Sequence, residues 1–248
     1  MFPVLPLASL TGFDVAAVVL LSVVVPLYGW IGHGRDKRRE AEGQAKALAA
    51  QYREALIFLW GATAVVLAIW MGASRPLAGL GLDAPFSLTF WGAMGFAVLA
   101  SAAYASQIVM LRRSAKARAQ LVKQLAGQAG VKAMLPTTRR EMGWFRVVAL
   151  SAGVGEEIVF RGFLIWAFAH WMPIWAAAGC ALVVFTLSHL YQENVRALAG
   201  VAVAGAVMTA LVMVSGSLFP AMLLHTVIDL AGGEMTWLAR REEEPGSA

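Results

Sequence analysis

Residues 151–168, SAGVGEEIVFRGFLIWAF, place Glu156, Glu157 and Arg161 inside an otherwise apolar run. Two later apolar runs repeat the pattern: VVFTLSHLYQ holds His189, and MLLHTVIDLAGGE holds His225 and Asp229, with Glu234 nearer its end. An ionisable group at the centre of a lipid-buried helix costs at least about 2.5–3.5 kcal/mol, so such residues mark pairing or function. Helical spacing brings Glu157 and Arg161 onto one face as an i,i+4 pair, and does the same for His225 with Asp229 and for Phe185 with His189. Glu156 is turned by about 100° from Glu157, so the two carboxylates cannot serve one partner equally. The economical way to satisfy these groups is to turn the three faces toward each other around water. Carboxylates and imidazoles in that arrangement can move protons, hydrolyse a bond or relay an ion. The plainer readings are a structural ion pair for Glu157–Arg161, a packing pair for His225–Asp229 and an interfacial position for His189. Glu156 resists them, because it has no local cation and still sits within an apolar run.

The elements that must position these residues follow from composition. The chain has 248 residues, of which 59% are hydrophobic and 14% charged; a soluble domain carries about a quarter charged residues. Uncharged stretches cover roughly 15–34, 55–74, 86–111, 162–192 and 197–228, and a helix needs about 20 apolar residues to cross hydrocarbon. Pro173 divides the fourth stretch, and SGSLFP at 215–220 divides the fifth with turn-forming residues. The expectation is an all-α, polytopic transmembrane helix bundle of about seven spans, near 13–31, 54–73, 86–111, 143–169, 174–191, 195–214 and 218–238. The N-terminal sequence MFPVLPLASLTGF lacks a basic region and a small-residue cleavage site, so the first span reads as retained. The organisation expected is residues 1–141 as N-terminal spans with basic loops, 142–238 as a helical core bearing the site, and 239–248 as a short tail. The first three spans show no ionisable group comparable to those of the later ones.

The net charge of +5 reports topology and not nucleic-acid binding. Six Lys and Arg lie between spans one and two and eight between spans three and four, with Arg196 between five and six and Arg240 and Arg241 after seven. Only Arg75 falls on the other side. Basic loops stay cytoplasmic, so this pattern predicts a multi-pass cell-membrane protein with its N-terminus outside and its C-terminus in the cytoplasm. The basic segment 112–141 has apolar positions at Leu111, Ala115, Ala119, Val122 and Leu125 and reads as an amphipathic cytoplasmic helix on membrane lipid. Trp30, Trp144, Trp171, Trp175, Tyr191 and Trp237 lie near span ends and read as an interfacial aromatic belt. His33 and His170 read as surface residues, and the single cysteine, Cys180, as inert packing.

EEIVFR matches E-E-x-x-x-R, FTLSH matches F-x-x-x-H and HTVID matches H-x-x-x-N/D, in that order on successive late spans. The ordered set resembles the CPBP family of intramembrane proteases, which includes Rce1-like CAAX prenyl endopeptidases and bacterial bacteriocin-processing and immunity proteins. The resemblance covers about residues 142–235. It implies an intramembrane endopeptidase acting on a peptide or membrane-associated protein in a cavity open to the cytoplasm, with catalytic residues Glu156, Glu157, Arg161, His189, His225 and Asp229. Glu156 matches the glutamate that activates water, a role that suits a carboxylate taking a proton from water and returning it to the leaving amine. His225 matches a residue that donates to the oxyanion. Asp229 departs from the Asn of Rce1-like members, since a carboxylate accepts hydrogen bonds where an amide donates. His189, His225, Asp229 and Glu156 would also suit a divalent cation such as Zn²⁺. H-E-x-x-H is missing, however, and metal-free catalysis without a cofactor is the expectation. The alternatives are a catalytically silent scaffold or immunity factor of the same family, and a transporter or proton relay. No inverted repeat supports the last.

Overall fold

The computed structural model describes residues 9–125 and 136–243, and every regular element among them is helical. In chain order, α1 is Gly12–Ala41 with a π-helical turn at Leu20–Val24, α2 is Leu48–Gly72, α3 is Leu88–Arg113 and α4 is Ala115–Leu125. Helix α5 spans residues 139–168 in three joined pieces: α-helical Arg139–Glu156, π-helical Glu157–Leu164 and α-helical Ile165–Phe168. Helix α6 is Ile174–Leu187, followed by a 3₁₀ turn at Leu190–Gln192; α7 is Val195–Ser215 and α8 is Phe219–Glu243. All seven apolar segments expected from the sequence are helical. Both expected breaks fall where turn chemistry put them: Pro173 caps α6, and Gly216, with φ 72°, ends α7 in the left-handed region open to glycine.

Five helices among the described residues are long and apolar enough to cross a membrane: Gly12–Ala41, Leu48–Gly72, Leu88–Arg113, Ile174–Gln192 and Val195–Ser215. The chain is a polytopic helical membrane protein. Helices α5 and α8 are also long, but they carry the charged and imidazole residues that lower their apolar content. Packing explains how α5 tolerates them. Every residue of its π-helical piece is buried, within a core built from Ala17 and Leu21 of α1, Val66 and Trp70 of α2, Phe185 of α6 and Met208 and Val212 of α7. A Cβ on Gly153 would lie 2.0 Å from Thr226 Oγ1 of α8, and one on Gly155 2.7 Å from Thr63 Oγ1 of α2. Glycine at these two positions lets α5 approach both neighbours at backbone distance. The outer faces of α1–α3 expose Phe13, Ile57, Leu99 and other large apolar side chains, as lipid contact requires. Cys180 lies on such an outer face of α6 and is exposed, contrary to the packing role expected for it.

The expectation that the first three spans hold no buried ionisable group is corrected by Asp14. Its side chain is completely buried at the start of α1, where it forms a capping box with Thr11. Arg75 Nη1 and Nη2 donate to the two Asp14 carboxylate oxygens at 2.7 Å each, and Nη2 also donates to the Ser9 carbonyl at 3.0 Å. The guanidinium carbon lies 4.4 Å from the centroid of the Trp166 ring on α5. Arg75 is therefore half of a buried clasp joining α1, the α2–α3 loop and α5, and not a solvated loop charge. The sequence signal was the Thr11-x-x-Asp14 pattern opening an apolar run, a capping signature. Asp14→Ala strands the arginine in the core and should cost about 3–5 kcal/mol. A marked fall in melting temperature in detergent is the expected reading, and an unchanged melting curve would contradict the clasp.

The basic helix expected between α3 and α5 exists as α4, but its inward face differs from the expected stripe. Ala117, Leu121 and Val122 are half-buried, while Ala115 and Ala119 are exposed. The stripe assumed a lipid surface beneath α4, whereas the helix packs against α8. The rest of that basic loop, 126–135, lies outside the described residues, as do the N-terminal residues before 9 and the tail after 243.

Candidate active site

Register begins at Thr138, whose side chain accepts from the Glu141 backbone N–H while the Glu141 carboxylate accepts from the Thr138 N–H. This capping box fixes the first turn of α5. Two turns further along the same helical piece, α8 is tied to α5 through Arg146 and Glu234. Between these ties and the Gly153–Thr226 contact, α5 and α8 run side by side. The Glu156–Glu157 pair of α5 thus faces His225 and Asp229 of α8.

Glu157 opens the π-helical piece and is fully buried. Its Oε1 accepts from Arg161 Nη1 at 3.0 Å and lies 2.8 Å from His225 Nδ1. A carboxylate paired with arginine can only accept, so Nδ1 of His225 carries the proton of that bond. Arg161 is buried as well, and α7 completes its shell: Nη2 donates to the Gly205 carbonyl at 3.3 Å and Nε to Thr209 Oγ1 at 3.5 Å. The guanidinium also lies 4.0 Å from the centroid of Phe185, a favourable cation–π placement. The i,i+4 pair read from the sequence is therefore formed and is tied to three other helices.

Glu156 meets the same imidazole from its other side. Its Oε2 is 3.9 Å from His225 Nε2, and Asp229 Oδ2 is 3.6 Å from that nitrogen. Both distances exceed a direct hydrogen bond. The Glu156 side chain is 16% exposed, against 0% for Glu157, and its Oε2 has no hydrogen-bond partner among the described residues. The unequal service of the two carboxylates expected from their 100° offset takes this form: Glu157 holds Arg161 and His225 through Oε1, whereas Glu156 makes no direct bond to either; the Oε2 atoms of both glutamates are without a hydrogen-bond partner among the described residues.

His189 lies just beyond α6, in the turn before the 3₁₀ segment. Its Nδ1 is 2.8 Å from the Phe185 carbonyl, which must accept, so neutral His189 presents an unprotonated Nε2. The ring lies 4.7 Å from Phe185, whose own ring is 6.2 Å from His225. His189 thus joins the cluster through Phe185. Among the described residues no three His, Cys, Asp or Glu side chains gather into a group able to hold a metal ion. The proposed set of His189, His225, Asp229 and Glu156 does not assemble as a ligand sphere here, and no step below is routed through a metal.

Sequence reasoning missed three parts of the site. The π-helical piece has no composition signature, although such turns are frequent where a helix carries function. Thr209 and the Gly205 carbonyl were hidden in an apolar helix whose polar atoms gain meaning only beside Arg161. Tyr191, expected in the aromatic belt, is half-buried and its ring lies 5.8 Å from that of His189.

Residues 138–231 match the family model of the type II CAAX prenyl endopeptidases described as Rce1-like. Searches of curated proteins and of solved structures found no match. The matched segment runs from the capping box of α5 into α8 and contains Glu156, Glu157, Arg161, His189, His225 and Asp229. Helices α5–α8 are thus similar over this segment to the Rce1-like domain of type II CAAX prenyl endopeptidases.

Proposed function

We propose that this protein is an intramembrane endopeptidase in which Glu156 activates the water that attacks a peptide bond. The observation that supports the reading is the difference between adjacent carboxylates around His225: Glu157 is fully buried and bonded through Oε1 to both Arg161 and His225, whereas Glu156 is partly exposed and bonded to neither. Glu156 takes a proton from water, and the water oxygen bonds to the carbonyl carbon as the carbonyl π electrons move onto its oxygen. Collapse of that intermediate breaks the C–N bond, and Glu156 returns its proton to the departing amine. Glu157 and Arg161 hold the imidazole of His225 so that Nε2 faces the reacting groups. On this reading His189 assists from beside Phe185, its Nδ1 tied to the Phe185 carbonyl.

The same reading places the N-terminus outside and the C-terminus and basic loops in the cytoplasm, as the Lys and Arg distribution favours. Access from the cytoplasmic side is supported by unequal helix lengths. The Phe160–Phe185 ring contact at 5.2 Å sets the end of α6 level with the start of the π-helical piece. From there α5 continues back to Arg139, about 25 Å at 1.5 Å per residue, leaving the α6–α7 turn well short of the α5 terminus. The test is cleavage of a quenched peptide ending in C-a-a-X, in farnesylated and plain forms, by purified protein in detergent with EDTA. Cleavage that persists in EDTA is expected. No cleavage of either peptide would overturn the endopeptidase reading, and loss with EDTA restored by Zn²⁺ would overturn the metal-free step.

Asp229 provides a finer check. Its carboxylate stands beyond hydrogen-bond distance from His225 Nε2, so the ring's orientation rests on Glu157. Asp229→Asn should keep or raise turnover of the cleaved peptide. A loss of tenfold or more, about 1.4 kcal/mol of transition-state stabilisation, would show that the carboxylate itself is required.

A further inference from the structure

His189 is the site residue whose position depends least on a helix. Helix α6 ends at Leu187, and His189 stands in the turn that leads on to α7, with its Nδ1 bonded to the Phe185 carbonyl. Backbone bonds carry that turn from His189 to Glu193. The Gln192 N–H donates to the His189 carbonyl at 3.1 Å, and the Glu193 N–H donates to the Leu190 carbonyl at 3.1 Å. Glu193 closes the turn at φ 48°, in the left-handed region that a residue with a Cβ disfavours. Asn194 then caps α7. A backbone in so sparse a region persists only where its surroundings hold it.

What holds Glu193 comes from the other end of the chain. Its carboxylate is paired with Lys37 of α1, and His33 Nε2, one turn earlier on that helix, lies 3.2 Å from Glu193 Oε1. His33, which reads as a surface residue in the sequence, has a side chain only 18% exposed. The half of α1 that bears both residues, Val25–Ala41, has no buried residue, yet it packs against this same turn. Core burial therefore does not account for the contact; anchoring the turn does. Resting on the endopeptidase reading, we infer that Glu193 is a positioning residue with Lys37 as its partner, the pair fastening the turn to α1 and so fixing where His189 stands beside Phe185. Neither residue touches the reacting groups.

The Lys37 and Glu193 side chains are 53% and 46% exposed, so breaking the pair removes little global stability. The probe is the C-a-a-X peptide cleaved by the wild type, with Glu156→Gln measured in parallel. An exposed pair biases an equilibrium by at most about fivefold, so Glu193→Gln and Lys37→Met should each lower kcat about three- to fivefold. KM and the melting temperature should not change, and the double variant should be no slower than either single. Lys37→Arg should keep the wild-type kcat, and the reversed pair, Lys37→Glu with Glu193→Lys, should recover it. Wild-type kcat in both singles, beside an inactive Glu156→Gln, would overturn the positioning role while leaving the endopeptidase reading intact. A reversed pair as slow as the singles would overturn it too. A kcat fall matched by a falling melting temperature would assign the pair to fold stability instead. Absence of cleavage by the wild type would overturn the endopeptidase reading and this inference with it.

Discussion

Glu157→Ala and Arg161→Ala should each lower the melting temperature of the protein in detergent and abolish peptide cleavage, while the double variant should be less damaged than the sum of the two. Each single change leaves a buried charge facing a partner that is gone, at a cost of about 3–5 kcal/mol. The two groups are 3.0 Å apart with side chains 1% and 0% exposed, so little water can reach the survivor. Glu157→Ala has a second effect, because it also releases His225 Nδ1 and frees the imidazole to rotate. Arg161→Ala removes the bonds to Gly205 and Thr209 and the contact with Phe185, loosening α7 and α6 against α5. Thermal unfolding of the wild type, both singles and the double measures the coupling directly. Strict additivity would contradict the pairing.

Glu156→Gln should behave in the opposite way, with activity lost and the fold kept. The amide preserves the shape of the side chain but cannot take a proton from water, and removing a general base costs roughly 10²–10⁴-fold in rate. Stability should stay near that of the wild type, because Glu156 Oε2 has no hydrogen-bond partner among the described residues and the side chain is partly exposed. Adjacent residues with opposite signatures, one structural and one chemical, are what the proposed mechanism requires. Full turnover by the Gln variant would remove Glu156 from the mechanism.

How far the sequence could be read depended on whether the signal was local. Apolar run length located all seven long helical segments, and Pro173 and Gly216 marked their breaks, because the cost of burying unpaired backbone leaves few other structures in lipid. The i,i+4 spacing of Glu157 and Arg161 carried their pairing for the same reason. Contacts between helices were less legible. Asp14 was not singled out among the first three spans, because its partner Arg75 is distant in sequence and meets it only in the fold. Tyr191 sits at the end of an apolar run, where an aromatic residue usually marks the interface, and only the turn after His189 brings it inward. The stripe on α4 was read against lipid, whereas α8 supplies the surface it packs on. The π-helical piece and the glycine contacts at Gly153 and Gly155 depend on how closely α5 meets its neighbours, which no single helix encodes.

The central claim, that Glu156 acts as a base on water and not as a nucleophile, is tested most directly by a single turnover of the C-a-a-X peptide in H₂¹⁸O with the enzyme in excess. Mass spectrometry would then follow both the product and the enzyme peptide containing Glu156. Direct attack by water predicts that the new C-terminal carboxylate carries one ¹⁸O and that Glu156 stays unlabelled. An unlabelled product together with ¹⁸O in the Glu156 carboxylate would reveal an acyl-enzyme and contradict the mechanism.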